Sequence, residues 1–173
     1  MDSELVGKSE VRAGAELSVT GKNGGFIEVS GDQVQLDGKM DFAASDGIAG
    51  HFLLDPDQMI IIDGTNGATP DGNGNTLIGK EWIRDLNAGS FELTSTGDLI
   101  FDLTIKGAGA TNDGIVNFRS LAAPGTDRAV TLRAGTSPTL VGSIDFGDDG
   151  TIFRGISDLV LEADGDIDFG DGE

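Results

Sequence analysis

"GGFIEVSGDQVQLDGKMDFAASDGIAGHFLLDPDQMIIIDG", residues 24–64, alternates apolar and polar residues in short phrases and closes most of them with glycine or aspartate. A period of two sends successive side chains to opposite faces of an extended backbone, and glycine and aspartate supply the turns between extended runs. The stretch therefore reads as half-buried strands joined by tight turns. Upstream, "ELSV" (16–19) is written the same way, as are the downstream phrases "FEL" (91–93), "LIFDLTI" (99–105), "IVNF" (115–118), "VTL" (130–132), "SIDF" (143–146), "LVL" (159–161) and "DIDF" (166–169). The chain holds 28 glycines and only 4 prolines in 173 residues, without a triplet period, so its glycines serve turns. The fold class expected is all-β.

Internal repeats narrow the architecture. "FELTSTGDLIFD" (91–102) aligns with "LVLEADGDIDFG" (159–170), matching Leu93 with Leu161, Gly97 and Asp98 with Gly165 and Asp166, and Phe101 with Phe169. "SIDFG" (143–147) recurs as "DIDFG" (166–170), and "KMDFA" (39–43) is a weaker copy. Self-similarity of this kind points to stacked units that bury their inner faces against one another. A β-sandwich or meander would give the same short strands, but the repeats favour a right-handed parallel β-helix, a β-solenoid, spanning 1–173 as one segment of a larger protein. Phe42, Phe101, Phe146 and Phe169 are expected to form one inward column.

One region departs from this pattern. "DGTNGATPDGNGN" (63–75) has almost no apolar content and reads as a surface loop. In "NTLIGKEWIRDLNAGS" (75–90), Ile78, Trp82 and Leu86 stand four apart and Gly89 follows as a C-terminal cap, which predicts a short amphipathic helix. Residues 63–90 are thus expected as a loop plus helix inserted in the β-helix.

Charge and composition exclude several functions. Eleven basic against 30 acidic residues give a net charge of -19, a field that repels nucleic acid and anionic lipid and attracts cations or basic surfaces. Without cysteine there are no disulfides or thiolate metal sites, and His51 is the only histidine. No apolar run approaches the length needed to span a bilayer, and the first ten residues lack the pattern of a secretion signal.

"GGFIEVSG" (24–31) followed by "GKMDFAASDGIAGHFLLDPDQMIIIDG" (38–64) resembles phrases that recur in large secreted exoproteins of the filamentous-haemagglutinin type, exported by two-partner secretion in Gram-negative bacteria. Gly24, Gly25, Phe26, Glu28, Ser30 and Gly31, then Gly50, Leu53, Leu54, Asp55, Pro56 and Ile60, carry the likeness, and the later phrases follow it more loosely. The resemblance implies a right-handed parallel β-helix, an extracellular or cell-surface location, and a role in adhesion or surface-layer building, with no catalytic residues to carry over.

Candidate chemistry is sparse. "DFGDDG" (145–150) and "DGDIDFGDG" (164–172) bring Asp145, Asp148 and Asp149, and Asp164, Asp166 and Asp168, into close succession, and such hard oxygen ligands suit a weak calcium site. Phe169, however, stands where a helix-loop-helix calcium loop needs glycine. A solvated acidic turn face is the plainer reading. Asp55, Asp57 and Asp63 are the nearest approach to the paired carboxylates of a glycosidase, but Asp55 beside Pro56 reads as closing a turn. His51 reads as a strand-edge side chain rather than a general base. Trp82 reads as a packing anchor, with a binding aromatic as the alternative. The expectation is a non-enzymatic structural or adhesive segment, stacked on the rest of its polypeptide or on like chains. The alternative is a carbohydrate- or receptor-binding module that uses the 63–90 excursion.

Overall fold

The computed structural model describes residues 7–45, 49–119, 127–136, 140–147 and 151–170. The elements run β1 (Lys8–Val11), β2 (Glu16–Ser18), β3 (Phe26–Gly31), β4 (Gln33–Leu36), β5 (Lys39–Asp41), β6 (His51–Pro56), β7 (Met59–Asp63), β8 (Thr69–Pro70) and β9 (Thr76–Gly79). They continue through α1 (Lys80–Asp85), β10 (Ser90–Ser95), β11 (Leu99–Lys106), β12 (Ile115–Asn117), β13 (Arg128–Ala134), β14 (Ile144–Asp145), β15 (Ile152–Arg154), β16 (Ile156–Ala163) and β17 (Ile167–Asp168). The protein is all-β, as the alternating phrases predict, with a single helix of six residues among the described residues.

A five-stranded sheet has the order β16-β13-β10-β6-β3, and a six-stranded sheet the order β17-β14-β11-β7-β9-β8. Three strand pairs, β1-β4, β2-β5 and β12-β15, complete the set. Every pairing between these strands is parallel except β8 with β9, which is antiparallel and makes the six-stranded sheet mixed. The sheets are open, ending in edge strands rather than closing on themselves.

Register converts the sequence alternation into a core. Val29, Leu54, Leu93, Leu132 and Leu161 are successive partners across the five-stranded sheet. Met59, Leu99, Ile144 and Ile167 do the same across the other sheet. A one-residue slip would turn the buried members of these columns, Val29 to Leu132 and Met59 to Ile144, outward, so the buried face fixes the register. Each large apolar side chain so buried stabilises the fold by about 1.5–3 kcal/mol. Turns stack as well: a Cβ on Gly142 would stand 2.1 Å from the carbonyl oxygen of Gly97, so only glycine fits between consecutive turns there.

The repeat alignment has a spatial meaning. Leu93 and Leu161 flank Leu132 in one column, and Phe101, Phe146 and Phe169 stack face to face with ring centroids 5.2 and 5.1 Å apart. Phe42 does not join them. Strand β5 pairs with β2 rather than with the six-stranded sheet, and Phe42 meets Phe52 edge-on at 5.6 Å, heading a second series through Phe91 and Phe118.

Residues 63–90 differ most from expectation. Asp63, Gly64 and Ala68 are buried, β8 and β9 join the six-stranded sheet, and β9 runs parallel to β7 in register. Ile78 belongs to β9, and the helix buries Lys80, Glu81 and Ile83 while Trp82 is half-buried. The amphipathic spacing fails because the helix is too short to present three apolar residues on one face; the backbone is extended at Gly79 and again at Leu86. Asp55 and Pro56 also lie within β6 rather than in a turn. Pro56 ends the strand, so its missing N–H removes only the final donor of the ladder.

Candidate functional site

The outward face of the five-stranded sheet carries the most organised exposed chemistry. Alternation sends Phe26, Glu28 and Ser30 outward from β3, and His51, Leu53 and Asp55 outward from β6. Ser90, Glu92 and Thr94 follow on β10, and Arg133 pairs with Thr94 from β13. Phe26, 53% exposed, stacks on His51 with centroids 5.4 Å apart and ring planes 7° from parallel. His51 Nδ1 lies 2.8 Å from Ser90 Oγ, and its Nε2 lies 3.6 Å from Glu92 Oε2. Arg133 bridges Glu92 and Glu162, and Ser30 donates to Glu28 at 2.9 Å.

Ser90, His51 and Glu92 have the composition of a hydrolytic triad, but the main-chain N–H groups of the flanking strands are engaged in sheet ladders. A nucleophile needs free donors aimed at a developing oxyanion, and none is placed here among the described residues. Asp55 sits among like charges. Burial first, then Glu28, Asp57 and Glu92, push its carboxyl up to about 6. Two atoms on this face, Asp55 Oδ1 and Thr94 Oγ1, are buried and have no hydrogen-bond partner in the protein.

A second charged group is internal. Lys80 Nζ is wholly buried and touches Asp63 Oδ1 at 3.4 Å, Glu81 Oε1 at 3.1 Å and Asp113 Oδ1. It also donates to Thr111 Oγ1 at 2.7 Å and the Ile115 carbonyl at 3.0 Å. Burial disfavours its charge, but the hydrogen bonds to Asp113 and Glu81 and the Asp63 charge outweigh burial and raise its pKa. For Asp63 burial likewise acts against ionisation, yet the N–H groups of Thr111 and Asn112, with Lys106 and Lys80, hold its carboxyl at about 2. Arg128, buried across the helix end, donates to the Ile83 and Leu86 carbonyls and lies 4.9 Å above the Phe91 ring. Desolvation lowers its pKa to about 10. The Lys80 pairings satisfy the buried charges around it and brace α1 against the 107–115 segment, while Arg128 caps the carbonyls at the helix end and leaves its own Nε without a partner in the protein.

Of the acidic turns, Asp148 and Asp149 lie outside the described residues. Asp145 and Asp168 are cross-strand partners, but each turns an oxygen to a nearby N–H, of Gly147 and Gly170 respectively. Among the described residues no group of three or more carboxylate or histidine side chains is arranged to hold a metal ion. A cavity of about 380 Å³ beside Phe101 and Phe146 is lined by Asp102 and Asp145, both occupied with backbone N–H groups two residues on. Trp82 packs edge-on against Phe52 at 6.1 Å and serves the core. The His51–Ser90–Glu92 grouping had no local signal in the sequence: the partners lie 39 and 41 residues from His51 and meet only through the β6–β10 register.

The C-terminal strands form a third feature. Leu159, Val160, Ile167 and Phe169 are 43%, 43%, 37% and 65% exposed, although Val130 and Ile144, the partners of Leu159 and Ile167 one strand earlier, are buried. Among the described residues no helix is long and apolar enough to cross a membrane. Comparison of the chain with protein-family models, with curated proteins and with solved structures finds no match.

Proposed function

We propose that the chain is a segment of a right-handed parallel β-helix that acts as a structural and adhesive element of a large surface protein, at the cell surface or outside the cell. The observation that carries this reading is the in-register parallel stacking that ends in apolar strands left open: the exposed Leu159 and Ile167 and the half-buried Leu161 continue columns whose earlier members are buried. An unfinished face of this kind is a template for further strands. The carboxylates Asp158, Glu162, Asp164, Asp166 and Asp168 at the same end disfavour stacking two such ends on each other. Its natural partner is therefore a further stretch of parallel strand, from the same polypeptide or a like chain, rather than its own mirror.

Appending a second copy of residues 128–170 after residue 170 tests the reading. The expected result is a higher melting temperature and new amide-exchange protection across 156–163. An appended copy that leaves 156–163 as exchangeable as before would reject it.

A further inference from the structure

We infer that Asn73 is a site of spontaneous covalent modification, at which the side-chain amide closes on the Gly74 nitrogen and hydrolyses to an aspartyl or isoaspartyl residue. This chemistry runs fastest where glycine follows asparagine, because the attacking main-chain nitrogen must swing toward the side chain without a Cβ in the way. The chain has three such pairs, Asn23-Gly24, Asn66-Gly67 and Asn73-Gly74. In the reaction the Gly74 nitrogen loses its proton to solvent and bonds to Asn73 Cγ, the Cγ–Nδ2 bond breaks, and ammonia leaves. Water then opens the five-membered imide at one of its two carbonyls, so no oxidant or reductant is needed. The product carries a carboxyl where the amide stood, near Asp71, and the isoaspartyl form lengthens the backbone by one methylene.

Local structure separates the three pairs. Residues 72–74 form a tip whose ends are clamped: the Asp71 N–H donates to the Asn75 carbonyl at 3.1 Å, and Asn75 returns its own N–H and its side-chain amide to the Asp71 carboxylate. All of the tip is exposed, Gly72 and Gly74 have positive φ, and a Cβ on either would meet nothing within 4 Å. Among the described residues nothing accepts the Gly74 N–H, so the nucleophile is free. Asn73 is held by Asp71, which accepts its main-chain N–H at 2.7 Å and its side-chain amide; at an exposed loop tip such bonds open readily to water. Asn66 is exposed as well, but it is fixed. Its Oδ1 accepts the Ala108 N–H at 2.9 Å, its carbonyl accepts the Gly79 N–H at 2.9 Å, and Gly67 is pressed against the Leu36 carbonyl. Imide closure there must first break contacts with three other segments. Asn23 lies in a turn whose flanking residues, Lys22 and Gly24, take part in a β-bridge.

Incubating the full chain in mildly alkaline buffer, with the sites of conversion located by fragment-ion mass spectrometry, tests this. Conversion of amide to carboxyl should accumulate at Asn73 at least about tenfold faster than at Asn66, where two hydrogen bonds must open first. Asn23 should also lag behind Asn73. In urea, where both loops are open, the rates at Asn66 and Asn73 should converge. Asn73→Gln should abolish the fast conversion, which assigns it to Asn73 rather than Asn75, while the variant melts with the parent because the tip lies outside the core. Asn66 or Asn23 converting as fast as Asn73 in the folded chain, an unmodified Asn73, fast conversion that survives Asn73→Gln, or a rate difference that persists in urea would each overturn the inference.

Discussion

The stacked strands β10, β13 and β16, with their partners β11, β14 and β17, are held by opposite means from the segment around α1. The stacked region repeats one small transaction: an apolar side chain meets its counterpart one strand away, as Leu93 meets Leu132 and Phe101 meets Phe146. The α1 region is tied by one buried knot, in which Lys80 and Lys106 neutralise Asp63 and Lys80 also serves Glu81 and Asp113. The contrast teaches that parallel stacked strands accommodate a non-repeating stretch when its buried charges and helix-end carbonyls find partners elsewhere in the fold.

The comparison breaks most severely at the interior of the phenylalanine stack. Phe101→Asp places an unpaired carboxylate at a site 1% exposed and should cost at least about 4 kcal/mol, lowering the urea midpoint steeply. Phe169→Asp, at the 65% exposed end of the same stack, should cost less than about 1 kcal/mol. Equal losses from the two would mean that the rings do not share one column.

Next in size is the knot. Lys80→Met leaves Asp63 and Asp113 without their shared cation and should cost about 3–5 kcal/mol in chemical unfolding. A small loss would mean that the charges are hydrated rather than buried together.

A smaller effect separates two carboxylates by pH. Asp55 ionises at about 6 in the folded chain against an ordinary 3.8, so the folded state takes up a proton first and stability rises as pH falls from about 6 toward 4. Asp63, held at about 2, works in the other direction: its contribution is present above about pH 4 and is lost as pH falls toward 2. Thermal melts of Asp55→Asn should lack the gain between pH 6 and 4 yet keep the acid loss below it. The smallest expected effect is that of calcium. Addition of calcium or of chelator should leave the melting midpoint of the parent chain unchanged, because Asp145 and Asp168 already serve backbone turns.

Much of this was legible from the sequence where a local rule governs. The alternation in "FIEVSG" and "HFLLDP" gives the inward residues of β3 and β6, and the match of Leu93 with Leu161 gives a column, although the intervening Leu132 was not part of it. What a period of two does not encode is which strand lies beside which. Phe42 was misplaced because β5 pairs with β2, and His51 meets Ser90 through a register set elsewhere. The burial of Lys80 was hidden because a charged residue in a polar stretch reads as exposed, and its counter-charges come from Asp63 and Asp113, 17 positions before it and 33 after. Pro56 reads as a turn because proline after aspartate is a local turn signal, whereas β6 runs on to end at Pro56.

The stacking itself is tested most directly by backbone NMR on the full chain. Interstrand amide and α-proton contacts should link Leu54 to Leu93, Leu93 to Leu132, and Leu132 to Leu161, in the offset pattern of parallel strands and with no register slip. Contacts in the antiparallel pattern, or Leu93 found next to any residue but Leu54 and Leu132 across the sheet, would contradict the account.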